Sequence, residues 1–263
     1  MSSCCSAFEC AADQQFNEKK ATEELKRHRT RGPGPTTRLL QQGLEQAGTL
    51  SGTLLDIGSG IGSLTFGLLE RGITHAVAVD ASSAYNGVAR QEAARLGRAD
   101  AVRFVHADFV SVAPELPAAT LVTLDRVVCC YPSYEALLTA ALHHAEQCLA
   151  LSYPRDVWYV RLGVMLENAQ RRLTKNPFRT FVHPAARMDE LIRSAGFERS
   201  SRRETWMWSV DVYKRSTDDV LSGSPFEEAA PETTRGSQRN AGGIERQKAL
   251  QREHAMRQRP SAV

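Results

Sequence analysis

Thr53-Leu-Leu-Asp-Ile-Gly-Ser-Gly-Ile-Gly62 decides the fold. A short, continuously apolar run leads straight into Gly58, Gly60 and Gly62, and a helix-compatible segment, Ser63–Arg71, follows and is closed by Gly72. An apolar run without alternation fits a strand covered on both faces. Glycines at the turn allow positive φ and let a ligand approach the backbone closely. In open α/β sheets ligands sit at the carboxyl ends of the strands, where this turn lies.

Outward from that turn, strand and helix alternate. His75–Asp80, Val102–His106, Leu121–Asp125 and Cys148–Tyr153 read as further buried strands, with helices at Ser83–Leu96 and Tyr134–Gln147 between them. This rhythm predicts a parallel sheet with right-handed crossovers. Beyond it, Val157–Leu173 and Pro184–Ala195 read as helices. Trp206, Trp208, Val210 and Val212 alternate with Met207, Ser209 and Asp211, which predicts a two-faced, antiparallel final strand.

The flanks differ in character. Residues 1–52 read as a helical appendage. Phe16–Arg29 is a charged helix whose run Lys26-Arg27-His28-Arg29 reads as a solvated face. After Gly32-Pro33-Gly34-Pro35 comes a second helix, Thr36–Ala47, with Thr36 or Thr37 as its cap and Gly48 at its end. Residues 53–215 form the α/β domain. Residues 216–263 are rich in polar residues, have Phe226 as their only aromatic and carry seven basic and seven acidic side chains, so they read as a disordered tail.

Composition sets limits. The 263 residues carry a net charge of +3, with 42% apolar and 24% charged residues, an ordinary globular balance that does not point to nucleic acid. No apolar run reaches the roughly 18 residues of a membrane span. Cys4, Cys5, Cys10, Cys129, Cys130 and Cys148 show no C-x-x-C spacing. They read as reduced thiols, on a mobile N-terminal end and in apolar segments, with no metal site expected. A cytoplasmic protein is the expectation.

Two cofactor classes use a glycine turn of this kind. A dinucleotide needs G-x-G-x-x-G, but here the third glycine arrives one residue early and Ser63 stands where the fingerprint has Gly. Asp56 brings negative charge where a pyrophosphate would lie; it suits a ligand with an ammonium and a sulfonium. The string resembles the first motif of class I S-adenosylmethionine-dependent methyltransferases, acidic-x-G-x-G-x-G. The resemblance covers about Thr53 to Arg215 and implies a doubly wound, mostly parallel seven-stranded sheet with S-adenosyl-L-methionine as cofactor.

Carried onto this sequence, the resemblance implies a cofactor site of Asp56, Gly58, Ser59, Gly60 and Gly62, with Asp80 and Ala81 at the ribose, Asp108 and Phe109 at the adenine, and Asp125 beside the reaction centre. Catalytic candidates are Asp125, Tyr131 and His183; Arg126, Tyr153 and Arg155 are candidates for holding the acceptor, Arg126 or Arg155 through a bidentate grip on a carboxylate. Trp158, Tyr159 and Phe178 are candidates for an apolar wall.

The strings Asp125-Arg-Val-Val-Cys-Cys-Tyr-Pro132 and Ser152-Tyr-Pro-Arg-Asp156 are similar to those of bacterial methyltransferase-domain proteins without an assigned substrate. Phe181–Gly196 and the order of elements are similar to magnesium-protoporphyrin O-methyltransferases. The Asp/Asn-Pro-Pro-aromatic string of amino-methylating DNA enzymes and the Pro-Cys of cytosine-C5 enzymes are both missing. A small-molecule acceptor is therefore expected, with oxygen the favoured atom. The alternatives are a nicotinamide-dependent oxidoreductase, which would also use Asp80, and a non-catalytic binding protein on the same fold. The oligomeric state is not legible.

Overall fold

The side chain of Ser6 accepts the Glu9 N–H and starts the first helix, α1 (Ala7–Gln15). Asn17 does the same for α2 (Glu18–Arg31) through the Lys20 N–H. These caps satisfy orphan donors of the first turn. In this computed structural model, which describes residues 6–216, α1 occupies part of the segment expected to be mobile. Its sequence is only weakly amphipathic; its contacts to the domain hold it. Pro35 opens α3 (Pro35–Ala47), and Gly48 ends it in the left-handed conformation. Thr36 and Thr37 are buried inside that helix rather than capping it, because proline at the first helical position already fixes the start.

The alternating region follows the expected order: β1 (Thr53–Ile57), α4 (Ser63–Leu69), β2 (His75–Asp80), α5 (Ser83–Arg95), β3 (Val102–His106), a single-turn α6 (Phe109–Val112), β4 (Ala119–Asp125), α7 (Tyr134–His144) and β5 (Ala145–Pro154). Then come α8 (Trp158–Leu173), α9 (Ala185–Ser194), β6 (Phe197–Glu204) and β7 (Trp208–Arg215). Several boundaries moved by two or three residues. Helix α7 stops at His144 and β5 takes over at Ala145, pairing there with Ala119. The last strand begins at Trp208, leaving Trp206 in the preceding turn. The expected tail lies outside the described residues, apart from Ser216.

The sheet has seven strands in the order β3-β2-β1-β4-β5-β7-β6. Strand β7 runs antiparallel to both β5 and β6. Strand β6, Phe-Glu-Arg-Ser-Ser-Arg-Arg-Glu, carries no apolar pattern beyond Phe197 and escapes a periodicity reading. It is an edge strand, where charged side chains protect the open hydrogen-bonding side.

Side chains of successive strand residues part to opposite faces. Leu55 and Ile57 join Leu137, Leu138, Met188 and Ile192 under α7 and α9. Leu54 joins Leu40, Leu44, Leu64 and Leu68 under α3 and α4. Helices thus cover both faces. The strand order reverses between β1 and β4, which places a topological switch point directly at the glycine turn.

Candidate functional site

At that switch point the carboxyl ends of β1, β2, β3 and β4 open into a cavity of roughly 370 Å³, within the range of about 300–1,000 Å³ usual for ligand clefts. Gly58, Gly60, Asp80, Ala81, Asp108, Phe109, Asp125, Arg126 and Tyr131 line it, as does Phe178. These are residues the sequence nominated from five separate segments. Asp56, Ser59, Gly62, Tyr153, Arg155, Trp158, Tyr159 and His183 are not among the lining residues.

The turn is built from left-handed glycines. Gly58, Gly60 and Gly62 have φ of 64°, 57° and 81°. Gly58 also lies against Val127, where an added Cβ would stand 2.4 Å from Cγ2; at Gly60 the nearest atom to an added Cβ is 3.6 Å away, on Tyr85. An added Cβ at Gly60 would thus make only ordinary van der Waals contact, with the Tyr85 ring. The Gly60 N–H donates to Asp80 Oδ2 and the Ser82 N–H to Asp80 Oδ1, both at 2.8 Å. Asp80 locks the turn and still presents its carboxylate to the cavity, and burial raises its pKa against these two hydrogen bonds.

Asp108 accepts the Val110 N–H through Oδ1, capping α6, while Ser6 Oγ at 3.0 Å and the Tyr131 hydroxyl at 3.2 Å donate to Oδ2. Burial and the neighbouring Asp108 charge push the Tyr131 pKa upward, so Tyr131 is held as a hydroxyl donor rather than a base. Asp125 accepts from Thr37 and Ser152 hydroxyls, each at 2.6 Å. Arg126 sits at φ 63°, unusual for a residue with a Cβ. Its N–H donates to Ser152 Oγ, and its guanidinium reaches Glu24 at 3.1 Å.

Four sequence candidates have other partners. Asp56 is buried beneath α4, on the opposite face of β1 from Leu55 and Ile57, accepting hydroxyls from Thr65 at 2.5 Å and Thr123 at 2.7 Å. Tyr153 is buried and donates to Asp211, which also pairs with Arg202. Arg155 pairs with Glu204 at the β6–β7 turn. His183 stacks on Phe181 and contacts the Tyr131 carbonyl through Nε2 at 3.0 Å. Burial lowers its pKa; it supports the Tyr131 loop from behind. Trp158 is exposed on the outside of α8. Cys129 and Cys148 are buried as expected, Cys130 only partly so.

The sequence reading named no individual residue of the N-terminal helices for the site, yet Phe8, Ala12, Gln15, Phe16 and Glu24 form one wall. Phe16 packs edge-on against Tyr85 and Phe178. Glu24 accepts the Tyr85 hydroxyl at 2.8 Å. Arg171, at the other side, donates to Thr180 at 2.6 Å and lies over the Phe178 ring. Half of the charge run read as solvated is docked: His28 contacts Ser63, and Arg29 pairs with the buried Glu92. Arg95, the first cause, and Arg29 hold the Glu92 carboxyl down to about 2. A charged helix with no apolar stripe gives no periodic signal for such docking.

The family model described as a methyltransferase domain matches residues 54–150, a span running from β1 into β5 and containing the glycine turn, Asp80, Asp108 and Asp125. Over residues 54–150 the chain is similar to that methyltransferase-domain family. Its fold is that of the S-adenosylmethionine-dependent methyltransferases. Magnesium protoporphyrin IX methyltransferase from Synechocystis PCC 6803, solved with bound SAH, is similar at a TM-score of 0.61 and 20% identity, over 80% of this chain and 100% of that one. An O-methyltransferase family protein from Burkholderia thailandensis is similar at 0.55 and 16%, over 76% and 63%. The cyclase SpnF is similar at 0.53 and 13%, over 68% and 85%. No curated protein sequence matches. Among the described residues, no helix is long and apolar enough to cross a membrane.

Proposed function

We propose that the methyltransferase domain binds S-adenosylmethionine in the switch-point cavity and methylates a small-molecule acceptor, with oxygen the favoured atom. One observation carries the cofactor assignment. Five carboxylates, Glu24, Asp80, Asp108, Asp125 and Glu167, line the cavity against two guanidinium groups, Arg126 and Arg171. Both guanidinium groups are already paired, with Glu24 and Glu167. Such a lining favours a cation and opposes the pyrophosphate of a dinucleotide. Gly60, which lines the cavity without a side chain, lets the ligand approach the backbone. In this reading Asp80 accepts the ribose hydroxyls, since an acceptor-only carboxylate suits two vicinal donors, and Asp108 accepts from the adenine amino group.

The bound cofactor would supply an activated methyl group on a positively charged sulfur. What remains for the protein is to align the acceptor and exclude water. Phe8, Phe16, Val127, Tyr131 and Phe178 make a wall suited to an apolar or aromatic acceptor. Asp125 is the carboxylate at the end of β4 available to accept a proton from an acceptor hydroxyl, and Thr37 and Ser152 fix its orientation. The paired state of Arg126 and Arg171 argues against a free carboxylate clamp. The likeness to the O-methyltransferase family protein supports an oxygen acceptor.

Calorimetric titration with SAH, NAD and NADP tests the assignment. Binding of SAH alone is expected. No binding of SAH at millimolar concentration, or binding of NAD in its place, overturns it.

A further inference from the structure

Helix α8 is apolar on the wrong side. It joins the domain through Val160, its one buried residue, and through Asn168 and Arg171, which donate to the carbonyl and hydroxyl of Thr180 at 2.7 Å and 2.6 Å. Trp158, Leu162, Met165, Leu166 and Leu173 lie on the opposite side, within an arc of about 100° at 3.6 residues per turn. They are exposed by 75%, 43%, 59%, 59% and 86%. Trp206, 69% exposed, extends the patch: the Tyr159 hydroxyl donates to its carbonyl at 2.8 Å, and Tyr159 packs edge-on against Trp158. A helix of a globular protein normally turns its apolar stripe inward. Large exposed patches rimmed by polar residues mark interaction sites.

The charges beside the patch say what covers it. Arg161 and Arg172 flank the apolar arc, and Lys175 follows the helix. Arg161 is held by Asp156 at 2.5 Å, whereas Arg172 and Lys175 have no ion pair among the described residues. The acid of the helix, Glu167, is taken by Arg171. The face therefore combines tryptophans, aliphatic side chains and uncompensated cations. That is the composition of helices lying in the plane of an anionic bilayer surface. A second copy fits less well. Sixteen residues make a face about 24 Å long and about 10 Å wide, on the order of 250 Å², well short of the roughly 800 Å² per partner of a stable interface.

We infer that α8 and the Trp206 turn form a docking face for an anionic lipid surface. The other side of the same helix supplies Glu167 and Arg171 to the cavity, so docking sets the cavity wall beside the headgroups. The face lies outside the proposed cofactor site, and its test reads lipid binding rather than methyl transfer.

The experiment is flotation of the full chain with vesicles of phosphatidylcholine alone and of phosphatidylcholine mixed with phosphatidylglycerol. The chain is expected to float with the anionic vesicles, with a blue shift of tryptophan emission. Met165→Asp combined with Leu166→Asp is expected to lower the partition coefficient by about tenfold or more. Arg172→Gln combined with Lys175→Gln should lower it by roughly tenfold. Both pairs of substitutions are on exposed positions, and circular dichroism checks that the fold is kept. The inference is overturned if the chain stays unbound, if it partitions equally onto vesicles of phosphatidylcholine alone, or if the Met165/Leu166 variant binds like the parent. Sedimentation showing a dimer that this variant dissolves, without vesicle binding, overturns it in favour of a second copy.

Discussion

The hydroxyl of Ser6 donates to the carboxylate of Asp108 at 3.0 Å, across 102 residues of chain. The bond ties the start of α1 to the end of β3, at the oxygen that also accepts the Tyr131 hydroxyl. Asp13 adds a second tie, accepting the Ser83 N–H at 2.8 Å, and the Ser82 hydroxyl a third, donating to the Phe16 carbonyl at 2.6 Å. Helix α1 and the Phe16 that ends it are therefore fastened over the cavity by residues that follow β2 and β3.

Removing the Ser6 hydroxyl should loosen that cover. Ser6→Ala loses both the cap of α1 and the tie to Asp108, about 1 kcal/mol for the cap alone. SAH dissociation followed by stopped-flow is expected to be about fivefold faster. An unchanged rate would mean that α1 does not control access.

Asp80 is expected to be the strongest single determinant of cofactor affinity. Asp80→Ala deletes charge-assisted bonds worth roughly 1.5–3 kcal/mol each. With partial rescue by water, SAH should bind about 2–4 kcal/mol more weakly, a factor of roughly 30 to 1,000. The substitution also strands the N–H groups of Gly60 and Ser82, so stability should fall by about 1–3 kcal/mol. Asp80→Asn keeps one acceptor oxygen and should lie between parent and alanine in both readouts. Calorimetry and urea unfolding measure the two effects; affinity within threefold of the parent would remove Asp80 from the ribose.

Two glycines of the turn, Gly58 and Gly60, should respond differently. A Cβ at Gly58 meets Val127 at 2.4 Å and one at Gly60 meets nothing nearer than 3.6 Å. Gly60→Ala should cost only the left-handed backbone strain, about 1–2 kcal/mol. Gly58→Ala should cost more, and Val127→Ala should recover part of the difference. Equal melting temperatures for the two single variants would contradict this geometry.

Asp56 should make stability fall as pH rises. Burial lifts its pKa from 3.8 to about 6, against the Thr65 and Thr123 hydrogen bonds. The unfolded chain then loses its proton first, so the contribution of this group is full below about pH 4 and lost as pH passes about 6, a change of about 3 kcal/mol. Asp56→Asn cannot ionise. The stability of the parent minus that of the variant, from urea unfolding, is expected to fall by that amount between about pH 4 and pH 7. A flat difference would show that Asp56 titrates normally.

Much of the fold was legible because each signal was local. The run Leu54–Ile57 and the glycines after it fixed one strand–turn–helix unit, and the repeat of apolar runs at Ala76–Val79, Val102–Val105 and Leu121–Leu124 fixed the parallel order. Strand β6 was not legible: an edge strand buries little, and its sequence carries charge on both faces. Asp80, Asp108 and Asp125, which stand at or just after strand ends, line the cavity, whereas Asp56, Tyr153 and Arg155 do not, because the direction of the side chain decides the partner.

The sequence by itself determined the α/β class, the position of the glycine turn and which acidic residues stand at successive strand ends, because strand period and turn chemistry act between neighbours in the chain. Only the tertiary structure decided which carboxylates face the cavity and which face helices. A strand alternates its sides, and the covered side is set by the helices that cross over it. Tertiary structure also brought Phe8, Phe16 and Glu24 onto the cavity and left the apolar side of α8 outward. Those placements depend on contacts between segments far apart in sequence, such as Glu24 with Tyr85 and Arg126, and no local pattern encodes them.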